Sequence, residues 1–257
     1  MLDKKQKYLQ IALNNTLDEA EKIIDQIPLD KRIIIETGTP LIKSYGIGGI
    51  KAIRFWWERR ISGLETQLFQ SSGVKPLWRT IFGQSLKHEK FKKNKDEFFI
   101  PYIVADLKCM DRGATEADIA FYGGASAAVA LGQAPIETLD AFIEKCEKFN
   151  IDSMIDMMNI DYSLNVLRKL KKPPKVVIVH RGVDEEAFDP ESEIPYHEIH
   201  RIKENYNIMV AIAGGDTFRE VQSAIFNDAD IVVVWKSFYQ STAETAKLAY
   251  EFLKEIR

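Results

Sequence analysis

The chain has 257 residues, 46% hydrophobic and 28% charged, which is the balance of a globular chain with a full core. Its formal net charge of -3 argues against a nucleic-acid partner, and no apolar run approaches the length of a membrane span. Only Cys109 and Cys146 carry thiols, too few for a disulfide scaffold or a four-cysteine zinc site, and no apolar segment follows the charged residues 1–7, so a cytoplasmic protein without a signal peptide is expected.

Short β-rich runs alternate with amphipathic helical patterns along the chain. A strand over 8–13 leads to a helix over 17–27, and a strand over 32–36 to a helix over 45–60. The pairs 102–107 with 114–122, 127–130 with 136–149, and 153–157 with 162–170 follow. The last three are 176–180 with 197–206, 209–213 with 217–226, and 231–234 with 243–256. The strands are continuous apolar runs, as in a parallel sheet buried on both faces. Eight such units predict one α/β domain over 1–257, a closed (β/α)8 TIM barrel, with an open doubly wound sheet as the alternative.

One interval breaks the rhythm. Residues 62–99 read as an insertion between the second helix and the third strand. It is locally basic and aromatic, with Trp78, Arg79, Lys87, Lys90, Lys92, Lys93 and Lys95. A solvated helical arm or oligomer contact and an anion-binding lid are both compatible with that composition.

In a barrel of this kind, chemistry collects at the carboxyl ends of the strands. Those ends carry Asn14, Glu36, Asp106, Lys108, Asp111, Gln133, Asp156, His180, Gly214-Gly215 and Trp235-Lys236. Glu36, Asp106 and Asp156 are hard oxygen donors suited to magnesium, with pairing to Lys108 as the plainer role. An extended segment would put Asp106 and Lys108 on one face, because side chains two apart in a strand share a face. His180 is the natural proton carrier near neutral pH. The Gly pair before a helix offers backbone N–H groups to an anion. His197 and His200 fall on a polar helix and are expected to face solvent.

Five segments occur together: Leu9-Gln10-Ile11-Ala12-Leu13, Glu36-Thr37-Gly38-Thr39-Pro40-Leu41-Ile42, Ala105-Asp106-Leu107-Lys108-Cys109-Met110-Asp111, His180-Arg181-Gly182-Val183-Asp184 and Ala213-Gly214-Gly215. With them the chain resembles the 3-hexulose-6-phosphate synthase branch of the orotidine-monophosphate decarboxylase superfamily, which also holds 3-keto-L-gulonate-6-phosphate decarboxylase. The resemblance spans nearly everything outside 62–99. It implies a homodimeric barrel in which Asp111 reaches the partner's site, Glu36 and Asp106 ligate magnesium, and Lys108 and Asp111 contact the sugar phosphate. It further implies a supporting role for Asp156, proton transfer by His180, and phosphate binding by Gly214 and Gly215. The implied reaction is an aldehyde-lyase condensation of formaldehyde with D-ribulose 5-phosphate through a magnesium-stabilised enediolate. Val183 stands where the gulonate decarboxylases carry a second arginine, which favours the synthase over the decarboxylase reading. A catalytically altered paralogue that binds a phosphorylated ligand or a protein partner is the alternative.

Three positions depart from the family pattern. Asn14 replaces an aspartate after the first strand; it still hydrogen-bonds a substrate hydroxyl but cannot be an anionic partner. Trp235-Lys236 replaces a Gly-Gly or Gly-Arg pair, and Lys236 is expected to stand in for a phosphate-binding arginine as a point charge. Asp216 follows the Gly pair, where a carboxylate pointing at a phosphate would repel it; capping of the next helix, for which Asp is favoured, is the alternative.

Overall fold

In the computed structural model, which describes residues 1–63, 99–189 and 191–256, every strand is parallel to both neighbours and the sheet closes on itself in chain order. The strands are β1 (Tyr8–Leu13), β2 (Ile33–Thr37), β3 (Ile103–Cys109), β4 (Ala127–Leu131), β5 (Asp152–Asp156), β6 (Val176–His180), β7 (Met209–Ala213) and β8 (Ile231–Val234), and β8 closes against β1. Between them run helices α1 (Leu17–Ile24), α2 (Thr39–Ser62), α3 (Gly113–Gly123), α4 (Ile136–Phe149), α5 (Leu164–Leu167), α6 (Val183–Phe188), α7 (His197–Asn205), α8 (Phe218–Phe226), α9 (Lys236–Gln240) and α10 (Thr245–Glu255). This is the expected (β/α)8 barrel.

The period-2 geometry of a strand explains both the core and the site. Residues such as Leu9, Ile11, Ile35, Ile155 and Val177 point outward and pack under the helices, where Trp57, Phe142 and Phe252 are fully or almost fully buried. The alternate positions Ile34, Val104, Met154 and Ile178 fill the barrel interior. Two residues further along the same inward face stand Glu36, Asp106, Asp156 and His180. The middle of the barrel is therefore apolar, and the top of the same rows is charged; below it, buried Asp152 accepts from Tyr102 Oη at 2.6 Å.

Three local features differ from the sequence expectation. The second helix begins at Thr39 rather than 45, started by Pro40 in its first turn, and it is two helical segments broken at Gly46, whose φ of 58° only glycine adopts without cost. Two short helices, α6 and α9, lie where loops were expected; each is too short to show a helical period. The basic insertion falls, from 64 to 98, outside the described residues, and Trp78, Arg79 and its lysines with it. Among the described residues, no helix is long and apolar enough to cross a membrane.

Candidate active site

Asp156, the last residue of β5, is the hub. Its Oδ2 accepts from Lys108 Nζ at 2.7 Å and from His180 Nδ1 at 2.8 Å, while Oδ1 accepts the Met158 N–H at 2.9 Å. Burial alone would raise this carboxyl, but His180 and Lys108 outweigh it and hold Asp156 well below the usual carboxylate range. Burial likewise opposes the positive charge on His180 and Lys108. In each case the carboxylates prevail: Asp156 lifts the imidazole above its ordinary value, and Asp106 with Asp156 lifts the ammonium further above neutrality. Lys108 is thus a permanent cation, and His180 holds its proton more tightly than a free imidazole.

Lys108 reaches this position by a route the period-2 rule does not describe. It sits at φ 44° in a register irregularity of β3 between Ala105 and Cys109, so backbone distortion, not strand alternation, returns its ammonium to Asp106 at 3.1 Å. A non-glycine residue in the left-handed region at a charged cluster is strain of the kind that accumulates at functional sites.

Glu36 and Asp106 form the neighbouring half of the cluster. Gln10 Nε2 donates to Glu36 Oε2 from the middle of β1. Burial, reinforced by the charge on Asp106, pushes Glu36 up to about 7. Thr39 Oγ1 lies 2.9 Å from both Asp106 Oδ2 and the Asp106 carbonyl oxygen. Asp106 Oδ1 is buried and, among the described residues, has no hydrogen-bond partner. Two adjacent carboxylates, one with an orphaned oxygen and one whose ionisation is suppressed, fit a hard divalent cation such as magnesium, which takes one or two carboxylates and fills its remaining positions with water or substrate. Among the described residues no group of three or more His, Cys, Asp or Glu is disposed as a complete metal cage; Glu36 and Asp106 are the carboxylates that would hold the ion.

The raised Glu36 makes a signed prediction. Its folded-state pKa of about 7 lies above its ordinary 4.5, so the fold favours the protonated acid and loses stability as pH rises through that window. A cation needs the ionised carboxylate. Magnesium is therefore expected to raise the unfolding temperature more at pH 8 than at pH 6, and Glu36→Gln to abolish the difference; equal stabilisation at both pH values would contradict the assignment.

The remaining expected site residues are placed less centrally. Asp111 is exposed in the turn after β3, where its Oδ1 accepts the Arg112 N–H at 2.7 Å, and it does not join the cluster within this chain. Asn14 donates its backbone N–H to Tyr239 Oη at 2.8 Å, and its amide packs so closely on Gly38 that a Cβ there would lie 1.8 Å from Asn14 Oδ1. Gln133 clamps the carbonyls of Met158 and Asn159. His197 and His200 are exposed, as expected. Gly214 has φ 94°, and a Cβ there would lie 2.2 Å from the Arg181 carbonyl oxygen; that carbonyl region is further tied by Arg181 Nη2, which donates to the Gly214 oxygen at 2.5 Å. Lys236 Nζ is held by Glu186 Oε2 at 2.5 Å and lies over the Trp235 ring at 5.8 Å.

Asp216 corrects an expectation. Thr217, not Asp216, caps α8, with Glu220 completing the capping box. Asp216 reaches instead across to the end of β8, where its Oδ1 accepts the N–H groups of Trp235 at 2.7 Å and Lys236 at 3.0 Å. Gln10, Thr39, Arg181 and Glu186 were not among the expected site residues. A glutamine inside the apolar run of β1 is the one signal that pointed to such a role.

The chain is similar to known proteins of one family. Residues 7–249 match the family model described as Orotidine 5'-phosphate decarboxylase / HUMPS family. The chain is 34% identical over 234 residues to the bifunctional enzyme Fae/Hps of Methanocella arvoryzae, covering 90% of this chain and 48% of that protein. It is 32% identical to the Fae/Hps of Methanocaldococcus jannaschii, covering 91% and 48%. The chain thus spans about half the length of these curated relatives. In fold it is similar to 3-hexulose-6-phosphate synthase from Salmonella typhimurium, with TM-score 0.72, 23% identity and coverage of 97% and 98%. It is also similar to KGPDC from Streptococcus mutans, with TM-score 0.66, 17% identity and coverage of 98% and 97%.

Proposed function

Because the chain belongs to the Orotidine 5'-phosphate decarboxylase / HUMPS family, we propose that it is a magnesium-dependent aldehyde-lyase of the 3-hexulose-6-phosphate synthase type. Its reaction would join formaldehyde to D-ribulose 5-phosphate or a related sugar phosphate. The observation that carries the reading is the Asp156 hub, which fixes a cation and a proton carrier on one carboxylate in a buried mouth.

The chemistry needs a proton moved at the sugar's C1 and negative charge stabilised on the adjacent oxygens. His180 is oriented by Asp156 through Nδ1, which leaves Nε2 as the nitrogen that exchanges the proton with substrate. The Asp156 carboxylate stabilises the imidazolium that forms. Lys108 has three N–H donors; two go to Asp156 and Asp106, and the third is free to meet a developing oxyanion. Since the carboxylates hold Lys108 protonated, its role is electrostatic and it is not the base. Gln10 and Thr39 orient Glu36 and Asp106, the pair that would hold magnesium. When bound, that ion supplies Lewis-acid stabilisation of the same oxygens. Asn14 and the Gly214-Gly215 loop are proposed to meet the rest of the substrate, and a homodimer is proposed in which Asp111 serves the neighbouring mouth. A cytoplasmic location is proposed, supported by Cys109 and Cys146 standing as free thiols, which suits a reducing compartment.

The test is formaldehyde consumption dependent on D-ribulose 5-phosphate. Consumption that is lost with chelator and restored by magnesium is expected. No consumption by folded, magnesium-supplied protein would overturn the reading.

A further inference from the structure

Between the loop after β5 and the stretch joining β6 to α7 lies a cavity of about 400 Å³, a size that holds a small organic molecule. Of the catalytic cluster it touches only His180; Glu36, Asp106, Lys108 and Asp156 are not among its walls. Its sides are partly apolar, with Met157, Ile160 and Val179, and its rim carries Asp161, Glu185 and Glu193. The three rim acids are exposed, and among the described residues none is in an ion pair. Ser192 Oγ, at 2.6 Å, and the Gly182 N–H, at 3.2 Å, donate to Glu185 and hold its carboxyl below the ordinary value. Arg181 also lines the cavity, but Glu220 and the carbonyls of Ser192 and Gly214 take its guanidinium. The cavity therefore presents uncompensated negative charge at its entrance.

Its floor supplies a second, independent feature. Ser163 lines the cavity and is 1% exposed. Its N–H donates to Glu198 Oε2 at 2.9 Å, and its carbonyl accepts from Val166 and Leu167, each at 3.1 Å. The hydroxyl is what Ser163 has left to offer, and among the described residues it has no partner. Native proteins match nearly all such buried groups, because leaving one unpaired is costly. Glu198 is itself committed, since Arg201 pairs with its Oε1. We propose that this cavity is a binding site for a small aliphatic diamine. One ammonium meets the rim acids, the hydrocarbon chain lies on Met157, Ile160 and Val179, and the other nitrogen donates to Ser163 Oγ. Three unpaired carboxylates repel an anion, and a neutral polyol leaves them unanswered. Because His180 forms part of the wall, a bound diamine is felt at its ring.

The test is calorimetric titration of the full chain with 1,4-diaminobutane, with 1,4-butanediol as its uncharged counterpart and the His180 ring proton resonances followed alongside. The diamine is expected to bind with a dissociation constant on the order of 1 mM or tighter and to shift the His180 signals, and the diol to do neither. Asp161→Asn combined with Glu193→Gln is expected to weaken binding about fivefold, since each exposed ion pair is worth up to a few-fold. Ser163→Ala is expected to weaken it by about fivefold as well, through the loss of one hydrogen bond. Two controls locate the ligand. Asp189→Asn removes a charge from the same acidic stretch outside the cavity, and Glu36→Gln removes one from the barrel mouth. Both are expected to leave the affinity within about twofold of the wild type. No binding at about 10 mM diamine, equal binding of the diol, or unmoved His180 signals would each overturn the assignment. So would unchanged affinity in either the rim variant or Ser163→Ala, or a loss in a control as large as theirs. None of these readouts depends on the sugar-phosphate reaction, so the site and the proposed function stand or fall separately.

Discussion

Lys108→Ala is expected to lower the rate of C1 proton exchange by on the order of 10²–10³-fold, because it removes the one fixed positive charge placed to meet a developing oxyanion. The loss is expected in kcat more than in KM, since the interaction strengthens as charge develops. The same change should also lower stability. Lys108 bridges Asp106 and Asp156, both buried, and stripping a partner from buried carboxylates costs about 3–5 kcal/mol. Lys108→Met would keep much of the side-chain volume and still lose the activity. Near wild-type exchange in either variant would show that the ammonium is structural only.

Asp156→Asn should have effects as large, through a different route. The amide keeps the shape but removes the charge that raises the pKa of both His180 and Lys108. Without it, burial becomes the dominant influence on His180 and pulls its pKa down. The sign follows for stability. In the wild type, the depressed Asp156 stabilises the fold above the ordinary carboxylate range and loses that contribution as pH falls through its folded value. The raised His180 stabilises the fold at low pH and loses its contribution as pH rises through its folded value. Asp156→Asn should therefore lose about 3 kcal/mol or more at neutral pH and move the titration of His180, followed by its ring proton resonances, to lower pH. An unmoved His180 titration would mean that Asp156 does not set its charge.

The barrel was legible because each strand is apolar on both faces and each is followed by a helix-compatible stretch within a short loop. Strand positions such as β1, β6, β7 and β8 need no tertiary knowledge for that reason. The polar rim was legible too: Glu36, Asp106, Asp156 and His180 each follow an apolar neighbour two residues earlier on the same inward row. What could not be read was anything set by backbone distortion or by contact across loops. The left-handed Lys108 has no sequence signature, so its meeting with Asp106 was expected for the wrong geometric reason. Asp156 was expected in support and stands at the centre, because only the closed barrel lets Lys108 of β3, two strands away, and His180 of the adjacent β6 meet at β5's end. Asp216 has the composition of an N-cap, but Thr217 beside it takes that role with Glu220, and the freed carboxylate finds its donors nineteen and twenty residues away. Lys236 looked like an available charge and is committed to Glu186, on a helix too short to be foreseen.

The relatives sharpen this picture without replacing it. The chain corresponds to about half of each Fae/Hps protein, and the solved structures share its barrel at identities that speak for fold. The proposed reaction would draw on the cluster itself: a permanent cation, an oriented imidazole and two carboxylates fit for a hard metal, all on one inward rim.

The proposed reaction begins with proton abstraction at C1 of a sugar phosphate, before any carbon–carbon bond forms. The most direct measurement is proton NMR of D-ribulose 5-phosphate in heavy water with the protein and magnesium, in the absence of formaldehyde. Stereospecific loss of one C1 proton signal is expected, abolished in His180→Asn and in Lys108→Ala. Retention of both C1 protons with folded wild-type protein would contradict it.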